Sequence, residues 1–163
     1  MGTRIDLGIV HRLVASLLEV MPSPVVVVQL GEPEPRPGDN VGAWCRVVRV
    51  DYAADPGPDD GKSGDFGTVT VAVNCAVSTG QTRLSSYALS SLMSIVGQQL
   101  DGRRAADDAT GHVLIMQRPQ ITADEDPEDQ RGIRTGVVIC TGLVSRSAGN
   151  SITSFLTTSK PAA

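Results

Sequence analysis

Aromatic side chains are scarce in this sequence: Trp44, Tyr52, Phe66, Tyr87 and Phe155 make up 3% of 163 residues. That scarcity removes the stacking platforms on which single-strand nucleic-acid binders hold successive bases. It also requires an aliphatic core of Val, Leu and Ile. Basic clusters are missing as well, and the net charge of −4 argues against a surface built to neutralise phosphates. Long apolar runs are absent. The longest, Val25–Val28, is far too short to cross a bilayer. Arg4, Asp6, His11, Arg12 and Glu19 interrupt the opening stretch, which excludes a signal-type apolar segment there. Cysteine is limited to Cys45, Cys75 and Cys140, each alone in apolar or β-branched surroundings with no C-x-x-C pair, so the expectation is buried thiols in a reducing compartment. A soluble protein made in a cytoplasm, without a membrane partner, is expected.

What is present reads as one domain with a tail. Ile5, Ile9, Leu13 and Leu17 recur at four-residue spacing, which predicts an amphipathic helix over 3–20, capped by Thr3 and ended by "MPSP". Val25–Leu30 predicts a short buried strand, and "GEPEPRPGDN" a loop that cannot pair in a sheet. Trp44–Tyr52 alternates, placing Trp44, Arg46, Val48, Val50 and Tyr52 on one face. A Gly/Pro/Asp loop over 53–67 precedes the clearest strand, Thr68–Ser78, whose inward row is Val69, Val71, Val73, Cys75 and Val77. Leu84, Ala88, Leu92, Val96 and Leu100 predict a second helix stopped at Gly102. After a polar connector, "RRAADDATG", strands are expected at His112–Gln117, resuming past Pro119 to Ile121, and at Ile133–Arg146. The expected fold is α+β: a mixed, mainly antiparallel sheet of about five strands, adjacent ones joined by hairpin-type loops, with two helices on one face. Residues 1–146 form the domain and 147–163 a Ser/Thr-rich C-terminal arm.

Catalytic chemistry finds little to use. General acid–base work wants histidine or a carboxylate pair in differing environments. His11 reads as a helix-surface or boundary residue and His112 as a strand-edge one. No G-x-S-x-G elbow or phosphate-binding G-x-x-x-x-G-K-[ST] occurs. Asp59, Asp60 and Asp65, or Asp124, Glu125, Asp126, Glu128 and Asp129, offer hard oxygens. Neither group has the alternation, bend glycine and closing bidentate acid of a calcium loop. The expectation is no enzyme, no cofactor and no metal, with a cation-binding acidic loop as the competing class.

The acidic stretch "ADEDPEDQRGIR" lies between two strand-like segments, with Pro127 breaking any regular element, and reads as a hairpin tip. Its polarity, acids followed by Arg131 and Arg134, is what a subunit could offer to another copy of itself. Ile152, Phe155 and Leu156 would gain nothing as exposed side chains in water, so they too are candidate interface residues.

The order of elements carries a family resemblance over about residues 3–146. An opening helix "RIDLGIVHRLVASLLEV", a proline-rich loop, strands "WCRVVRVDY" and "GTVTVAVNCAVS", a helix "SSYALSSLMSIVGQQLDG" and a closing pair "HVLIMQRPQI" and "RTGVVICTGLVSR" resemble tail terminator (tail completion) proteins of long-tailed bacteriophages and phage-like particles. The resemblance implies a structural virion protein at the head-proximal end of the tail. It implies a hexameric ring that caps the tail tube, ends tube growth and joins head-completion proteins. The tail tube protein would be a partner, and DNA would pass through without specific binding. A tail tube protein or another head–tail connector is the alternative within the virion; a tube subunit would be more purely β.

Overall fold

The computed structural model describes residues 5–20, 25–36, 39–54, 65–80, 85–121 and 132–146. It is an α+β fold: two helices on a curled, mixed and mostly antiparallel sheet of six to seven strands. The elements in chain order are α1 (Leu7–Leu18), β1 (Val26–Val28), β2 (Ala43–Ala54), β3 (Asp65–Ser78), α2 (Ser85–Leu100), β4 (Arg104–Asp107), β5 (His112–Met116), β6 (Gln120–Ile121) and β7 (Ile133–Arg146). The sheet order is β1-β2-β3-β7-β5-β4, with β6 also beside β7.

β7 is the spine. All fourteen of its residues pair with β3 on one side, from Ile133↔Ser78 to Arg146↔Asp65. On its other side it pairs first with β5 and then with β6. The chain leaves the sheet between those two because Pro119 has no N–H to give a ladder. The Gln117 N–H still reaches the Thr141 carbonyl at 2.8 Å, so β5 and β6 form one interrupted edge, in keeping with the expected resumption past Pro119.

Alternation explains the core. Val69, Val71, Val73, Cys75 and Val77 are all fully buried, as their spacing predicts. With Val138, Cys140 and Val144 of β7, they face Ile9, Val10, Leu13, Val14 and Leu18 of α1 and Leu89, Leu92, Met93, Val96 and Leu100 of α2 in one continuous cluster. Both helices therefore lie on the same face. They also touch at their ends: the Gln99 side-chain amide donates to the Leu17 carbonyl at 3.1 Å, satisfying one of the carbonyls a helix C-terminus leaves without a partner. Gly102, at φ +68°, ends α2 in the left-handed conformation that glycine adopts without penalty.

Five sequence expectations need correction. Asp6, not Thr3, is the α1 cap: its carboxylate accepts the N–H groups of Gly8 (2.9 Å) and Ile9 (3.4 Å), and Thr3 lies outside the described residues. β2 does not keep one alternation. Its register with β3 jumps between Val47 and Arg49, leaving Val48 as the extra residue of a bulge. Cys45 and Val47 before the bulge, and Val50 and Tyr52 after it, therefore share the helix side, and Trp44 faces the other way. β1 runs parallel to β2, so residues 29–42 form a crossover in place of a hairpin; parallel neighbours need about a dozen connecting residues. The "RRAADDATG" connector contains a strand, β4, paired with β5 through Asp107↔His112. Finally, the expected 53–67 loop is shorter, since Ala53, Ala54 and Gly67 extend the β2–β3 ladder and Asp65 and Phe66 extend the β3–β7 ladder. Together β4 and β6 account for the strands beyond the expected five.

Candidate functional site

On the face away from the helices, the described parts of the crossover, residues 29–36 and 39–42, lie over one end of the sheet. Glu34 of the crossover pairs with Arg46 of β2 at 3.0 Å. Beneath it, Trp44, Val28, Ala76 and Ile133 form a second buried cluster, with Val41 packed against it. Beyond this cluster the outward residues of β5, β7 and β3 stay open. Ile115, Ile139, Val137 and Phe66 are 39–46% exposed, whereas Val138 and Cys140, alternating with them on β7, are buried.

At the far end of the sheet a polar network ties α1 to the β4–β5 turn. Fully buried His112 accepts the Asp6 backbone N–H at Nε2 (3.0 Å), which leaves the proton on Nδ1. Nδ1 lies 2.7 Å from Thr110 Oγ1, and that hydroxyl donates to Asp107 Oδ2 at 2.8 Å. Arg146, 1% exposed, donates its Nε–H to the Thr110 carbonyl at 3.2 Å. The set brings together the α1 cap, the β4–β5 turn and the last residue of β7. It contains an acid, a histidine and an arginine, but their hydrogen bonds join α1, the β4–β5 turn and β7 to one another, and the histidine is sealed from solvent. It holds elements in place. His112 is thus a core residue and not an edge one. No local sequence signal announces this, because its partner Asp6 is 106 positions away.

The three cysteines are free and buried, as expected. Burial pushes the Cys45 thiol up to about 12 and the Cys140 thiol up to about 11, and raises Cys75 further, with Cys45 opposite it in register adding to the effect. Thiols held protonated are poor nucleophiles and poor metal ligands. Among the described residues, no group of three or more His, Cys, Asp or Glu side chains could hold a metal ion. No helix among them is long and apolar enough to cross a membrane.

Of the residues singled out in the sequence, Asp124, Glu125, Asp126, Glu128, Asp129 and Arg131 lie outside the described residues, as do Ile152, Phe155 and Leu156. The acidic stretch connects β6 to β7, which are antiparallel neighbours through Ile121↔Val138. Arg134 sits at the start of β7, where its Nε–H donates to Ser85 Oγ at the head of α2 (2.9 Å). Beside it, both the N–H and the hydroxyl of Thr79 donate to the Gly132 carbonyl, at 2.9 and 3.0 Å, pinning the end of β3 to the exit from the acidic segment. Compared with known proteins, no family model matches this chain and no curated protein matches its sequence.

Proposed function

We propose that this chain is a structural virion protein, a tail terminator whose copies form a hexameric ring that caps the tail tube, ends its growth and joins it to head-completion proteins. The observation that carries the reading is the element order: a leading helix packed into the core, then two long paired strands, a second helix and a closing strand group. That order is the one on which the resemblance rests, and the buried leading helix favours a terminator over a purely β tube subunit. The action required is geometric and needs no catalytic group.

A closed ring repeats one heterologous contact by rotation, so each subunit must present two different surfaces. The β1–crossover end and the β4–β5 end of the sheet are the candidates for these two surfaces, since they carry the sheet's edge strands. Carboxylates at 124–129, if turned to the lumen, would repel DNA phosphates and let the duplex pass.

Native mass spectrometry and negative-stain imaging of the purified chain, alone and with its tail tube protein, test the reading. Rings of six times the 17.1 kDa chain mass are expected. A chain that stays monomeric and leaves tube length unchanged in an assembly reaction would sink it. A ring with 124–129 on its outer rim would remove the lumen role alone. Saturable magnesium or calcium binding that raises stability by about 1 kcal/mol or more would favour the cation-binding class instead.

A further inference from the structure

Cys45 and Cys75, both fully buried on the helix side of the sheet, stand directly opposite one another in the β2–β3 register. Consecutive N–H groups at the end of β3 alternate in direction: that of Ser78 donates to the Gly42 carbonyl beside β2 and that of Thr79 to the Gly132 carbonyl beside β7, both at 2.9 Å. Counted back in steps of two from Thr79, the backbone of Cys75 turns towards its β7 partner, Gly136, and away from β2. Cys45 and Cys75 are therefore a non-hydrogen-bonded pair, the kind whose Cα atoms lie about 4.5 Å apart and whose side chains come closest. The bulge at Val48 comes later in β2 and leaves this count undisturbed.

A disulfide needs Cα atoms about 4.4–6.8 Å apart and side chains that point together. This pair meets both conditions, at the short end of the range. The hydrogen bond of Cys75 Sγ, to the Val73 carbonyl, is long at 3.9 Å and easily given up. The space that a Gly136 side chain would fill holds the Met93 thioether, a flexible neighbour able to follow two sulfurs as they draw together. Cys140 has Val71 opposite it on β3, so the register gives it no thiol partner there.

We propose that Cys45 and Cys75 are a modification site, a dithiol that a low-molecular-weight disulfide oxidises to a bond between β2 and β3 within the native fold. One thiol, deprotonated as the core around it opens, attacks a sulfur of the reagent and expels one reagent thiolate, leaving a mixed disulfide. The second thiol, likewise deprotonated, attacks the protein sulfur of that mixed disulfide and expels the other reagent thiolate. The protein loses two hydrogens, the reagent is reduced to two thiols, and one S–S bond replaces another. Burial makes the reaction slow, since the thiolate is the attacking species. The new bond closes 45–75 into a covalent loop and ties the strand beside β1 to the middle of the sheet. This inference concerns a single chain and does not rest on the ring reading.

The reduced full-length protein, incubated with oxidised mercaptoethanol in buffer and in urea below its unfolding midpoint, tests it by intact-mass measurement and non-reducing peptide mapping. The expected product has lost the mass of two hydrogens, yields a linked Cys45–Cys75 peptide, keeps the Trp44 emission of the reduced protein and returns to the dithiol with dithiothreitol. Cys140→Ala is expected to give the same link. A link through Cys140, or reagent adducts at Cys45 or Cys75 that never close, would overturn the proposal. So would an oxidised form with the emission of the unfolded chain, or thiols that stay reduced under both conditions.

Discussion

The imidazole Nε2 of His112, at the start of β5, accepts the backbone N–H of Asp6, the residue that caps α1, at 3.0 Å. One acceptor, on a fully buried ring, therefore holds the entry of the first helix against a strand more than a hundred residues away. A buried N–H left without a partner costs about 1–3 kcal/mol. His112→Leu, which keeps volume but offers no acceptor, should destabilise the protein by at least that much in urea denaturation. Thr110→Val should cost about 1 kcal/mol, and the double variant should cost less than the two single effects added, because both break the same chain of hydrogen bonds. Strict additivity would mean that the two residues act separately.

Acid and alkali should each weaken the fold, through different groups. His11 is partly buried with Nδ1 lacking a hydrogen-bond partner, and desolvation lowers its affinity for a proton below the usual 6.5. The unfolded chain then takes up the proton at higher pH than the folded one. Stability is full above about 6.5 and falls as pH drops through that value towards the lowered folded one. His11→Gln should flatten the change in denaturation midpoint between pH 7.5 and 5.5. On the alkaline side the sign reverses. The unfolded thiols ionise near 9, whereas native Cys45 stays protonated to about 12. Stability is full below 9 and falls by up to about 1.4 kcal/mol per pH unit for each thiol as pH rises beyond it. Cys45→Ala should reduce that slope, even if it lowers stability at neutral pH.

Strong alternation and strong helical spacing were legible because burial itself imposes them. The Val69-to-Val77 row, the span Ile133–Arg146 and the stripe of α2 appear where the pattern puts them. β4 was not legible, since "RAAD" carries no large apolar residue to mark an inward face, and the segment becomes a strand only by pairing with β5. The bulge at Val48 was hidden because Val48 and Val50 continue an apparent period of two across it. The direction of β1 has no signature in three valines. The polar network escaped for another reason: Asp6, Asp107, Thr110, His112 and Arg146 converge only once the sheet has formed. The candidate interface residues were chosen by charge and hydropathy alone, and of these only Arg134 has described surroundings, a hydrogen bond to Ser85.

Gly67 should tolerate no side chain. A Cβ there would run into the backbone carbonyl of Ala53 and the ring of Tyr52 across the β2–β3 ladder, and a carbonyl in a ladder cannot swing aside as a flexible side chain can. Gly67→Ala should cost about 1–3 kcal/mol or more, as overpacking does. Gly80, with nothing near its Cβ position, is the matched control, and Gly80→Ala should stay within about 0.5 kcal/mol of the parent. Equal effects at the two positions in thermal or urea unfolding would contradict this account of Gly67.

Trp44 offers a direct report on the crossover. It is the one tryptophan of the chain, 3% exposed, and it lies in the small cluster with Val28, Ala76 and Ile133 that the 29–42 segment covers. Its emission should therefore be blue-shifted in the native protein and follow the seating of that segment. Ile133→Ala removes a buried neighbour and should cost about 2–5 kcal/mol, with a red shift from water reaching the indole. Glu34→Gln breaks the ion pair with Arg46, whose partners are both about 30% exposed, so its cost should be no more than about 1 kcal/mol. The crossover is thus held chiefly by the apolar contacts around Trp44, and a Glu34→Gln variant that red-shifts the emission as far as Ile133→Ala does would show the ion pair to be the main tether instead.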